Sequence, residues 1–224
     1  MKKVKPDGWQ AGVVSLVCIG FLVAFFALGS LRSWSTGERK LIQEADSVMY
    51  VTTLPLDSAV LRTPSRDLRR KELRSKELET LKAKMLRTVT DPTQDGVGIA
   101  APQVGLNRRV IWVQRMDKPG EPFECYVNVR LDSLFGEISR GPEGCLSVPP
   151  MRGIVPRYNG VIVSYLDPST GKRCSEKVEG YTAIIFQHEC DHLDGTLYID
   201  KADSVFIDRA WEEERKKYNY NNGR

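Results

Sequence analysis

The sequence predicts an α+β fold in which antiparallel β-sheets wrap one buried central helix. Three observations carry that expectation: β-branched and aromatic runs of strand length cluster between residues 109 and 178, a helix-periodic stretch precedes them, and a short apolar stretch around residue 185 follows them. With 224 residues, 41% of them hydrophobic and 28% charged, the chain has room for one well-cored domain plus an appendage, and its composition excludes wholesale disorder.

The appendage comes first. Residues 1–10 form a basic N-terminus with Lys2, Lys3 and Lys5, and Ala11–Leu28 then runs for 18 positions without a charge. A helix of that length, rising about 1.5 Å per residue, reaches roughly 27 Å, close to the hydrocarbon thickness of a bilayer. Trp9 and Trp34 bracket it as interfacial anchors do. Residues 11–31 therefore read as a retained membrane anchor, with a signal segment cleaved near Ala27-Leu28-Gly29 as the alternative. Basic residues on both sides (Lys2, Lys3 and Lys5 against Arg32, Arg39 and Lys40) leave the orientation open. Residues 32–48 are expected to be a linker, overlapping a tether over Gly37–Asp57 that is partly helical around Leu41–Val48. A folded domain over 49–218 and a polar tail at 219–224 complete the expected organisation.

Within the domain, Leu73, Leu78, Leu81, Met85 and Val89 recur at helical spacing, so Arg74–Thr90 is expected to be an amphipathic helix stopped by Asp91-Pro92. Gly96–Gly105 reads as a glycine-rich loop. Arg109–Gln114, Tyr126–Leu131 and Val161–Leu166 read as strands. The turn Asp167–Lys172 leads into a returning hairpin strand at Arg173–Val178. Tyr181–Asp194, apolar at Ala183, Ile184, Ile185 and Phe186, is the expected buried helix, with Gly195 where a C-cap belongs. A charged helix over Ser204–Tyr218 is expected to close the domain.

The net charge of +4 is mild and its basic residues are interleaved with acids, as in Arg66–Arg74 and Glu212–Lys217, so no specific nucleic-acid binding is expected. Five cysteines without a CxxC pair make no disulfide framework; Cys125, Cys174 and Cys190 read as small packing residues.

The two histidines of the chain, His188 and His192, both fall in His188-Glu189-Cys190-Asp191-His192, an HExxH pattern. Four residues apart on a helix, the two imidazoles share a face and can converge on one ion. Glu189 can then reach a water on that ion as general base. The pattern supplies two ligands, and a catalytic site of this kind needs a third. A third histidine is excluded, because Tyr198 holds the position where the extended motif places it. Glu212 has the spacing of the glutamate in thermolysin-like peptidases, so an HExxH zinc peptidase using Glu212 stays open. Cys145, in a glycine- and proline-rich segment with a constrained backbone, is the other candidate.

Gly96-Val-Gly-Ile-Ala-Ala-Pro-Gln103, Glu143-Gly-Cys-Leu-Ser147 and Gln187-His-Glu-Cys-Asp-His-Leu-Asp-Gly195 occur in that order. Together they resemble the signatures of the peptide deformylase family. Val60-Leu61-Arg62 and the stretch Arg152 to Arg157 extend the likeness over roughly residues 50–200; the apolar N-terminal segment falls outside it. The resemblance implies sheets around a central metal-binding helix, and a hydrolase that removes the formyl group from the N-terminal formyl-methionine of newly made polypeptides. It implies Cys145, His188 and His192 as ligands of one divalent ion, Fe2+ first, with Zn2+, Ni2+ or Co2+ as alternatives. Glu189 becomes the general acid/base. The Gln103 side-chain amide and the Leu146 backbone N–H would hold the developing oxyanion.

Around these, Val97 and Gly98 are expected to meet the substrate backbone, and Glu143, Gly144 and Arg152 to line the substrate mouth. Arg157 and Asp191 form either an ion pair steadying the helix or an ordinary surface contact. The expected partners are formylmethionyl nascent chains, with the ribosome nearby and a bacterial inner membrane reached through residues 11–31. Since nascent chains emerge in the cytoplasm, the catalytic domain is expected on that side; export after signal cleavage is the alternative.

Overall fold

The computed structural model describes residues 33–94 and 96–213. The chain divides after Ser35 into two units, and every element below belongs to the second. The expected anchor at 11–31 and the polar tail at 219–224 lie outside the described residues. Among the described residues no helix is long and apolar enough to cross a membrane.

The first element corrects an expectation. Thr36–Glu44 is a helix (α1) that packs against α3 (Lys76–Val89), with Ile42 buried, so the helical part expected around Leu41–Val48 begins and ends earlier. Its anchorage is electrostatic as well as apolar. Glu38 accepts from Nε of the fully buried Arg108 at 2.5 Å, and Lys84 donates to the carbonyl of Ile42 at 2.8 Å at the C-terminal end of α1, where a cation meets orphaned carbonyls. A short helix, α2 (Ser58–Leu61), follows. Helix α3 starts as an amphipathic helix should: the hydroxyl of Ser75 accepts the Leu78 N–H, and Leu78, Leu81, Met85 and Val89 turn inward.

The sheet is antiparallel throughout. Its strands are β1 (Gly98–Ala100), β2 (Val110–Gln114), β3 (Phe123–Gly144), β4 (Met151–Leu166), β5 (Arg173–Glu179) and β6 (Ser204–Ile207). They lie in the order β1-β2-β3-β4-β5, with β6 paired to β4. Two runs expected as separate short strands, Tyr126–Leu131 and Val161–Leu166, are parts of one long hairpin, β3–β4, kept bent by register shifts such as that between Phe135 and Ile138. The second half of β4 lies between β3 and β5; its first four residues lie between β3 and β6.

The expected loop at Gly96–Gly105 also holds more structure than anticipated, namely strand β1 and a 3-10 turn over Ala101–Val104. The charged closing helix is corrected too. Ser204–Ile207 is a strand, and helical backbone begins only at residue 209.

Helix α4 (Tyr181–Leu193) is the centre of the fold. Ala183, Ile185, Phe186, Cys190 and Leu193 bury themselves against Ile111, Tyr126, Val161 and Val178 of the sheet. The rings of Tyr126 and Phe186 meet edge-on at 4.8 Å. Gln187 is tied to β4 at both ends of its amide, donating to the Tyr158 carbonyl at 2.7 Å and accepting the Tyr158 N–H at 3.2 Å. The helix ends in a Schellman motif: Thr196 N–H bonds the Asp191 carbonyl and Gly195 N–H the His192 carbonyl. Gly195 adopts φ +74°, and a Cβ there would lie 2.6 Å from the Arg62 carbonyl oxygen. That position requires glycine twice over.

Candidate active site

The i, i+4 spacing does on α4 what helical geometry demands, presenting His188 and His192 on one face with ring centroids 5.0 Å apart. Cys145 arrives from the turn between β3 and β4, which is closed by the Val148 N–H on the Cys145 carbonyl at 3.0 Å. Its Sγ lies 3.2 Å from His192 Nε2, and the three ligand atoms of Cys145, His188 and His192 all lie within 4.8 Å of one another. Ligand atoms around a tetrahedral ion with bonds of about 2.0–2.3 Å stand roughly 3.3–3.7 Å apart, close to the separation of the Cys145–His192 pair. A thiol and two imidazoles at the floor of a cleft are also the donor set such an ion prefers. Glu212 does not belong to this group. Tyr198, at the excluded third-histidine position, stacks on His188 at 6.0 Å instead.

Glu189 faces the cleft, 4% exposed, with Oε2 lacking a hydrogen-bond partner among the described residues. Burial pushes its carboxyl up to about 7 against the opposing pull of His188. Gly98 makes room for it: a Cβ on Gly98 would lie 2.6 Å from Glu189 Oε1 and 2.9 Å from Ile185 Cγ2. Gly98→Ala is therefore expected to leave the chain folded while displacing the carboxylate, and to lower kcat by about 100-fold, the cost of misplacing a reacting group by about an ångström. Steady-state kinetics beside a thermal melt measures both.

Gln103 is oriented by its own turn. Its Oε1 accepts the Ala100 N–H at 2.9 Å, which turns Nε2 toward Cys145 Sγ at 3.6 Å and Ser147 Oγ at 3.3 Å. Leu146 lies between those two residues and lines the cleft, as do Val97, Gly144 and Arg152. The carbonyl of Val97 is taken by the Gln114 N–H at 2.8 Å.

Glu143 lines the cleft as expected and also supports a ligand candidate. Its carboxylate accepts from Arg157 at 2.7 and 3.0 Å and meets His188 Nδ1 at 2.8 Å, which points the other ring nitrogen of His188 at the metal group. Burial raises the Glu143 carboxyl, but the bonds from His188 and Arg157 outweigh it and hold it at about 2. Arg157 and Asp191 do meet, at 2.6 Å and buried, and Asp191 also accepts from Lys201 at 2.6 Å. The ion pair is an internal strut and not a surface contact.

Sequence reasoning missed a staple beneath the site. Thr52 N–H donates to the Gln103 carbonyl at 2.8 Å, and Leu54 N–H to the Ser147 carbonyl at 2.9 Å, so one extended segment ties both loops that carry polar groups to the cleft. These are main-chain bonds, and no side-chain pattern announces them.

Residues 50–206 match the family model for polypeptide deformylase. The chain belongs to the peptide deformylase family. Among curated peptide deformylases, that of Symbiobacterium thermophilum is 40% identical over 151 residues, covering 65% of this chain and 67% of the relative. That of Leptospira biflexa is 36% identical over 159 residues, covering 68% and 87%. Among solved structures, the actinonin-bound class I type b peptide deformylase of Acinetobacter baumannii superposes with a TM-score of 0.62 at 35% identity, covering 70% of this chain and 99% of that one. The Thermotoga maritima peptide deformylase superposes with a TM-score of 0.61 at 30% identity, covering 70% and 99%. The chain is thus a hydrolase that deformylates the N-termini of newly synthesised polypeptides, and like other peptide deformylases it depends on a metal ion.

Proposed function

We propose that Cys145, His188 and His192 hold the ion and that Glu189, Gln103 and Leu146 carry out formyl hydrolysis. The observation that carries this reading is the convergence of one sulfur and two imidazoles within 4.8 Å beside an oxygen of Glu189 that has no partner among the described residues. When bound, a divalent ion supplies Lewis acidity, polarising the formyl carbonyl and acidifying water. Glu189 removes a proton from the attacking water and returns it to the leaving amine as the C–N bond breaks, releasing formate and a free methionine N-terminus. Gln103 Nε2 and the Leu146 N–H donate to the oxygen on which negative charge develops, contacts typically worth about 3–4 kcal/mol each. Arg152 lines the way out for the rest of the peptide.

A thiolate with two imidazoles accommodates Fe2+, which we assign, with Zn2+, Ni2+ or Co2+ able to replace it. Metal analysis of protein purified without oxygen identifies the ion. The test of the reaction is incubation of the metal-loaded full chain, in mild detergent, with formyl-Met-Ala-Ser. Formate is expected to appear in equal amount to Met-Ala-Ser; cleavage of the Met–Ala bond, or no formate, would sink the reading.

We further propose that residues 11–31 anchor the chain in a membrane, with the catalytic domain in the cytoplasm where nascent chains emerge and where a cysteine ligand stays reduced. Proximity to the ribosome follows from the substrate. A topology reporter fused after Arg224 decides the side: activity only outside the cytoplasm would overturn the placement.

A further inference from the structure

The cleft, about 600 Å³ in volume, has a wall that formyl hydrolysis does not itself require. Pairing of β6 with Met151–Ile154 brings Asp208, Ala210 and Trp211 to the cleft beside Arg152. Asp208 pins the arrangement from three sides. Its N–H donates to the Pro150 carbonyl at 2.9 Å, its Oδ2 accepts from Arg152 Nε at 2.6 Å, and its Oδ1 accepts the Trp211 N–H at 3.1 Å. The Arg152 guanidinium then sits 5.7 Å from the centre of the half-buried Trp211 ring, within cation–π range. The match to the family ends at residue 206, so Asp208 and Trp211 lie beyond it.

We infer that Trp211, held against Arg152 by Asp208, is a specificity-determining residue that selects an apolar or aromatic side chain among the first residues after the formyl-methionine. The inference rests on the cleft being the deformylation site. With the formyl group at Cys145, His188 and His192, the remainder of the peptide has to leave past the rim. There Asp208 compensates the charge of Arg152, so the wall offers an indole and little net charge. A flat apolar side chain sheds water against such a surface, whereas a charged one gains no counter-ion to repay its desolvation. Arg152 stiffens the ring from one side, so little rotamer freedom remains to be lost on binding.

The test uses the metal-loaded full chain and compares kcat/KM for formyl-Met-Ala-Ser, formyl-Met-Phe-Ser and formyl-Met-Ala-Phe. One phenylalanine peptide is expected to be preferred over formyl-Met-Ala-Ser by about five-fold, the factor of one aromatic contact. Trp211→Phe is expected to keep that preference and Trp211→Ala to lose it. As a readout independent of turnover, titration with the preferred peptide's product, Met-Phe-Ser or Met-Ala-Phe, should change the tryptophan emission of the native chain and not that of Trp211→Phe. If the native chain turns over all three peptides alike, or Trp211→Ala lowers all three by one common factor or retains the preference, this inference fails while the deformylase reading stands. No formate from any of the peptides would instead sink the reading of the cleft itself.

Discussion

Glu189→Gln is expected to lower kcat by about 10³-fold, within the range typical of a lost general acid–base group, without changing the amount of metal bound. The amide has nearly the same shape as the carboxylate, so the surrounding packing, including the close approach of Gly98, is kept. What disappears is the ability to accept a proton from water and pass it on. Glu189 is the group proposed for that work because it faces the cleft beside the three candidate ligands and its Oε2 has no competing partner among the described residues. Pre-steady-state formate release together with metal analysis gives the two quantities; a variant with turnover within ten-fold of the native chain would remove Glu189 from the proposed mechanism.

Cys145→Ala is expected to release the ion altogether and abolish formate production. Two histidines on one helix face supply two of the three protein ligands that an open tetrahedral site requires. In the proposed site the sulfur, 3.2 Å from His192 Nε2, is the third. Glu212→Ala, by contrast, is expected to retain full metal content, since Glu212 stands outside the group of potential ligands. Metal analysis of the two purified variants separates the thiolate site from a glutamate-completed one without any assay of activity. Retention of metal by Cys145→Ala would overturn the ligand assignment.

How much of this was legible in the sequence depends on the range of the interaction concerned. The HExxH face is set by helical periodicity within five residues, and α3 by the spacing of Leu78, Leu81, Met85 and Val89; both stand where the pattern puts them. The same holds for Gly195, whose left-handed conformation is a local requirement of the helix end. Cys145 joins the site through a β-turn more than forty residues upstream, so the residues alone left Glu212 open, and only the resemblance to a family decided between them.

Strand β6 escaped detection for a different reason. All four of its residues are exposed, so no alternation of burial is written into them, and the charged helix that begins at residue 209 hides the strand before it. Its existence depends on the hydrogen-bonding edge that Met151–Ile154 offers from fifty residues away. The bond of Glu143 to His188 was not legible either, because a glutamate beside a cysteine carries no sign of an imidazole partner, and the two meet only through folding of the hairpin onto α4.

The seat of His188 has a consequence for how an ion enters. Glu143 holds Nδ1 at 2.8 Å and Tyr198 stacks over the ring at 6.0 Å, so contacts within the protein set the direction of the imidazole. Loading then requires little rearrangement of this ligand, and the cost of aligning it falls on folding. A receptacle prepared in that way can accept several ions of like size and charge. The supply of iron or zinc in the cell, more than any adjustment of shape, would then govern which one the enzyme carries.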